Sequence, residues 1–250
     1  MTMKDATPSL IICGAMFASI FIWPLMTRIY EKFDGDTYFP VIDENEWTMT
    51  KKIAILTSNN SKILEAITDY FKDNKDVEIT CLSDIVDSEP LKKAQELGIK
   101  NRYLPNEENT QYFGANNFDI VAIADYEQEI SASTIECSKF INLHPSLLPA
   151  FEGKDSLQRA YTSGVKVSGI TIHHVTDENF YDKIIAQYPV LIGLTTHFGE
   201  FCAEIDTVSA KVYPVVIDTL LNDKVFDFQD LFKSSCHKSG GCSGNCDNCH

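Results

Sequence analysis

Apolar residues recur along the middle of the chain with two periods that take turns. KKIAIL (51–56) is a short apolar run, SKILEAITDYFK (61–72) has helical spacing, VEITCL (77–82) alternates, and PLKKAQELG (90–98) is a short helical stretch that Gly98 stops. FDIVAIAD (118–125) and SKFINL (138–143) read as buried strands. VKVSGITIHHV (165–175) and KIIAQYPVLIG (183–193) read as longer strands able to pair, and residues 199–222 as a final helix. Strands alternating with helices predict a three-layer α/β domain on a mostly parallel sheet. Ligands of such sheets lie beyond the carboxyl ends of the strands, which is where INLHPSLLP (141–149) begins. If Asn142-Leu143-His144 is still extended, its two polar side chains share one face. Pro145 and Pro149 then fix the path of the loop that leaves it.

The pattern divides the chain into three zones: an extension over 1–48, an α/β domain over 49–225 and a tail over 226–250. In the first, LIICGAMFASIFIWPLM (10–26) carries no charge. As an apolar helix it would reach roughly 25 Å, short against a hydrocarbon core of about 30 Å. Trp23 and Tyr30 suit an interface, and Arg28 and Lys32 follow the run whereas Lys4 and the amino terminus precede it. That bias predicts a single membrane helix with the bulk of the chain on the cytoplasmic side. A cleaved signal peptide is the alternative, although Asp5 beside Lys4 weakens its positive region. A start at Met49, just before KKIAIL, would make the protein cytoplasmic.

Composition narrows the chemistry. The 250 residues contain enough apolar surface (44%) to fill a sizeable core. A net charge of −15 and a pI near 4.7 argue against nucleic acid as a partner, because phosphate backbones need clustered Lys and Arg. Four cysteines, Cys13, Cys81, Cys137 and Cys202, are scattered among apolar residues and read as small buried hydrophobes. The other four, Cys236, Cys242, Cys246 and Cys249, fall in CHKSGGCSGNCDNCH (236–250), a tail too polar to form a core. With His250 or His237, their spacing predicts a soft-metal site: zinc first, then copper(I) or an iron–sulfur cluster. Disulfides, if the tail is exported, or a reactive tail without metal are the alternatives.

NLHPSLLPAF, followed about twenty residues later by GITIHHVTDE, resembles phosphoribosylglycinamide formyltransferase and the wider folate-dependent formyltransferases. The likeness spans about 51–223, from KKIAILTSNNS to KVYPVVIDTLL. It implies a formyltransferase-like, Rossmann-like domain that moves a formyl group from 10-formyltetrahydrofolate to a small-molecule amine, as in purine biosynthesis. It also implies that Asn142 and His144 are catalytic, and that Ile123, Tyr126, Ile130, His173, Thr176 and Asp177 lie along the folate. Ser58, Asn59, Asn60 and Ser61 would meet the acceptor substrate. The chemistry agrees: formyl transfer passes through a tetrahedral oxyanion and needs a proton relayed from amine to folate nitrogen, work suited to an amide and an imidazole. Plainer readings stand beside each role. Asn142 and His144 also suit loop capping, His173 a satisfied core position, Asp177 a turn and Ser58 and Ser61 helix caps.

Three departures from the family pattern bear on activity. The family's catalytic Asp follows VTDE, but VTDENFYDKII places Phe180 there, with Asp182 two residues later. Either the turn is rebuilt so that Asp182 enters the site as the replacement, or proton transfer is crippled; a two-residue shift along extended backbone favours the second. TSNNSK (57–62) has Asn59 and Ser61 where the family has glycines whose amides receive a phosphate, so phosphoribosylglycinamide itself is expected to turn over little. IADYEQEIS (123–131) brings Glu127, Gln128 and Glu129 to a wall that is apolar in the family, and the short stretch from Leu104 to Phe118 is expected to cost a helix. The leading expectation is therefore a folate-dependent formyltransferase with an unassigned amine acceptor. The alternative is a catalytically weakened, membrane-tethered scaffold whose Cys-rich tail binds metal or a partner.

Overall fold

A computed structural model describes residues 50–176 and 183–224. They form β1 Lys51–Leu56, α1 Ser61–Phe71, β2 Val77–Ser83, α2 Glu89–Glu96 and β3 Lys100–Tyr103. A 3₁₀ turn over Asn106–Glu108 leads to α3 Asn109–Ala115, β4 Ile120–Ala124, α4 Ala132–Ile135, β5 Phe140–His144 and α5 Ser156–Thr162. The series ends with β6 Val167–His174, β7 Ile184–Leu191 and α6 Phe198–Leu221. Residues 10–26 and the tail cysteines lie outside the described residues. Among the described residues no helix is long and apolar enough to cross a membrane.

The strands make one seven-stranded sheet in the order β3-β2-β1-β4-β5-β6-β7. Strands β1 to β5 pair in parallel; β6 runs antiparallel to β5, and β7 to β6. Both faces of the central strands are covered, which is why KKIAIL reads as a continuous run rather than an alternation. Ile53 and Ile55 face one core with Ile63, Leu64 and Ile67 of α1 and Val212, Val216 and Ile217 of α6. Ala54 and Leu56 face a second core with Leu82, Phe113, Val121, Ile123 and Phe140. The fully buried Tyr213 of α6 reaches the sheet with its hydroxyl, 2.9 Å from the carbonyl of Ile123 and 3.1 Å from that of Ile141. This ties the helix to β4 and β5, the strands that carry the candidate chemistry.

Two expectations fail here. The segment from Leu104 to Phe118 keeps a helix: α3 buries Phe113, whose ring meets Phe118 and Phe140 edge to face at 5.9 and 5.1 Å. One aromatic anchor held by two others is enough to dock a helix of two turns. The scattered cysteines are not uniformly buried either. Cys81 is fully buried, with its thiol pushed up to about 12 by desolvation, whereas Cys137 and Cys202 are half-exposed. The edge strand β3 has no apolar signature, because every residue of KNRY is exposed.

Candidate active site

Phe140 faces the second core, so the period of two puts Asn142 and His144 on that same face, half-buried at the carboxyl end of β5. Across the antiparallel ladder Asn142 stands opposite His173, and His144 opposite Thr171. The Asn142 Nδ2 lies 3.3 Å from His173 Nε2, and His173 Nδ1 lies 3.0 Å from the carbonyl oxygen of His174. A carbonyl only accepts, so His173 carries its proton on Nδ1 and receives one from the Asn142 amide at Nε2. That fixes the amide's orientation and leaves its second N–H for another acceptor. The same reasoning applies to His144, whose Nε2 lies 3.3 Å from the carbonyl of Phe151. The proton sits on Nε2, and Nδ1 keeps its lone pair.

The loop after β5 is held by two residues that sequence reading missed. Thr171 Oγ1 donates to the carbonyl of Ser146 at 2.6 Å and accepts from the amide of Leu148 at 3.0 Å. Gln187 Nε2 donates to that same oxygen at 3.1 Å and to the carbonyl of Leu148 at 2.8 Å. Ser146 Oγ donates to the carbonyl of Ala150 at 2.6 Å. Phe151 follows with a φ of 56°, a left-handed conformation uncommon for a bulky side chain, and its carbonyl is the one that engages His144. A Thr and a Gln on different strands carry no local sequence signal; only the β6–β7 pairing brings Thr171 and Gln187 together.

Burial is the leading cause that holds His144, His173 and His174 below the ordinary histidine range; hydrogen bonds to the carbonyls of Phe151 and His174 oppose it for the first two. A proton on His144 would also disfavour one on His173, which places the two rings within electrostatic reach. The unfolded chain therefore takes up protons first as pH falls. Stability from these groups is complete above the unfolded value of about 6.5 and drains away as pH drops through the lower folded values. A base acting through neutral His144 follows the same direction. Activity is expected to stay flat from pH 8 to about 6.5 and to fall only below it, with a stability midpoint declining over the same acid range. A pH–rate profile beside urea unfolding measures both, and a rate falling already above pH 7 is the contrary result.

The remaining residues fall in three groups. Ile123 is a buried member of the second core; Tyr126 and Ile130 pack against it. The Tyr126 hydroxyl accepts from Asn109 at 3.1 Å and donates to Asn106 at 3.2 Å. Thr176 is half-buried just beyond β6. Asp177, Phe180 and Asp182 lie outside the described residues, as do Cys236, Cys242, Cys246, Cys249 and His250. The third group follows β1. There Asn60, not Ser58 or Ser61, caps α1, accepting from the amides of Lys62 and Ile63 at 3.1 and 3.4 Å. Asx geometry favours Asn at this position as strongly as Ser. Ser58 Oγ donates to Asp84 at 2.7 Å, Asn59 Nδ2 to Glu127 at 2.8 Å, and Ser61 Oγ to Glu89 at 2.6 Å.

Among the described residues no group of three or more His, Cys, Asp or Glu side chains is placed to hold a metal ion. A cleft of about 440 Å³ lies at the opposite, amino end of the sheet, lined by Lys52, Glu78, Lys100 and Arg102. Lys100 is paired with Glu78, and Arg102 with Glu108 while it stacks on Tyr112. Tyr112 and Asn116 at α3 line the cleft as well, and none of the convergent groups above does.

A protein-family model described as formyl transferase matches residues 51–217. The phosphoribosylglycinamide formyltransferase of Bacillus subtilis is 30% identical over 185 residues, covering 68% of this chain and 95% of that protein. Formyltetrahydrofolate deformylase 2, mitochondrial, of Arabidopsis thaliana is also 30% identical, over 172 residues that make up 64% of this chain and 52% of that protein. Among solved structures, the phosphoribosylglycinamide formyltransferase of Anaplasma phagocytophilum superposes with a TM-score of 0.65 at 26% identity, covering 72% of this chain and 90% of that one.

Proposed function

The chain belongs to the formyl transferase family, and from that premise we propose that it moves the formyl group of 10-formyltetrahydrofolate to a small-molecule amine. One observation carries the proposal: an amide locked by His173 and the imidazole of His144 stand two residues apart on one face, at the sheet end where ligands of this architecture sit. The amine nitrogen attacks the formyl carbon, and the carbonyl electrons move to oxygen. The free N–H of Asn142 meets that oxyanion. Nδ1 of His144 takes the proton released by the nitrogen, and the folate nitrogen leaves with a proton as the carbonyl reforms. Among the described residues no carboxylate hydrogen-bonds His144; a backbone carbonyl orients it instead. A carbonyl fixes the tautomer yet stabilises an imidazolium less than a carboxylate does.

The test uses the full chain with 10-formyltetrahydrofolate and a panel of amines, scoring tetrahydrofolate release beside a His144→Ala variant. Amine-dependent release that the variant loses is expected. No release with any amine removes the proposal. Formate appearing without amine would make water the acceptor, the reaction named for the Arabidopsis relative. The scaffold alternative rests on residues 10–26 and the tail cysteines, which lie outside the described residues.

A further inference from the structure

In this strand order the chain turns away from β1 on both sides, so the crevice between the carboxyl ends of β1 and β4 lies at the topological switch point. The amino end of α1 opens there, and a helix amino terminus ordinarily attracts an anion through its free amides and dipole. In this chain the crevice is stitched across by its own groups. The amide of Ser58 donates to the carbonyl of Asp125 at 3.0 Å, and Ser58 Oγ accepts from the amide of Glu127 at 3.0 Å. That hydroxyl has given its proton to Asp84, so the buried Ser58 has nothing left to donate. Asn59 bridges to Glu127 and Ser61 to Glu89. The Lys62 and Ile63 amides are taken by Asn60, and the Lys62 ammonium is paired with Asp206 at 2.6 Å. The carboxyl of Asp125 is itself raised, first by desolvation and then by Glu127 and Asp206, which marks a concentration of negative charge.

We infer that the acceptor carries no phosphate: Asp84, Glu89 and Glu127 take up the side-chain donors of Ser58, Ser61 and Asn59 at this turn, and their charge repels one. This rests on the formyl-transfer reading and narrows it to neutral or cationic amines. Specificity here comes from a built-in repulsive element rather than from a missing contact. Sequence alone suggested the loss of glycine; the structure adds that the space is filled by like charge.

The inference is tested by following the backbone amides of residues 59–62 by NMR in the ¹⁵N-labelled full chain, titrated with inorganic phosphate and with phosphoribosylglycinamide. Expected is no saturable shift at these amides up to about 10 mM, about ten times above even a weak millimolar site. A saturable shift in the unaltered protein overturns the inference. In the Asp84→Asn, Glu127→Gln variant, which keeps the hydrogen-bond acceptors, saturable phosphate shifts are expected to appear and to weaken as salt rises. A folded variant that remains silent overturns the role given to the carboxylates. No formyl donor is present in these titrations, so their outcome is separate from that of the transfer assay.

Discussion

Replacing Asn142 by Ala is expected to lower kcat for formyl transfer by about 10²-fold to 10³-fold while KM for the folate changes little. The amide holds no part of the fold that would fail with it, being half-buried and bonded by its side chain to His173. Under the proposed mechanism it supplies a donor aimed where charge develops. Such a donor acts mainly in the transition state, so its loss falls on kcat rather than on binding. His173→Ala separates position from presence: the amide remains but is no longer locked, and a smaller fall in kcat with unchanged KM is expected. Steady-state kinetics on the three proteins measure the series. An Asn142→Ala enzyme as fast as the original would leave the residue as a loop cap and remove the oxyanion role.

Gly169→Ala is expected to destabilise the fold by at least about 3 kcal/mol, the upper end of ordinary overpacking costs. A Cβ at this position of β6 would stand 2.0 Å from the carbonyl oxygen of Tyr188, 2.9 Å from Leu147 Cδ2 and 3.0 Å from Pro189 Cα. Two of those atoms are backbone of β7, paired with β6 in this stretch, and they cannot move without opening the ladder. The third belongs to the loop that ends in the Phe151 carbonyl, so the strain reaches the partner of His144. Urea unfolding should show a lower midpoint at an unchanged slope. A midpoint shift worth less than about 0.5 kcal/mol, the size of a neutral surface change, would show that the strands slide apart without cost.

The central strands and helices were legible because their burial is periodic. Ile53, Ile55 and the α1 positions Ile63, Leu64 and Ile67 are buried for the same reason that they form a pattern. Asn142 and His144 were legible as a pair because a strand repeats every two residues. β3, α4 and α5 were not, since short elements at an edge or in a loop bury too few side chains to leave a period. α3 was hidden for another reason: its anchor is the meeting of Phe113 with Phe118 and Phe140, and the last is distant in sequence.

By itself, then, the sequence determined the α/β class and the sheet end that carries the NLHP motif, both local consequences of side-chain period, and the loss of glycine after β1 showed only against the family pattern that it resembles. Tertiary structure decided the rest. Only the β5–β6 pairing sets His173 against Asn142, only the β6–β7 pairing sets Gln187 against Thr171, and only the packing of the segments after β2 and β4 brings Asp84, Glu89 and Glu127 to the head of α1. Hydrogen bonds and charge repulsion act over a few ångströms of space, and the distance between residues 58 and 127 along the chain says nothing of that separation.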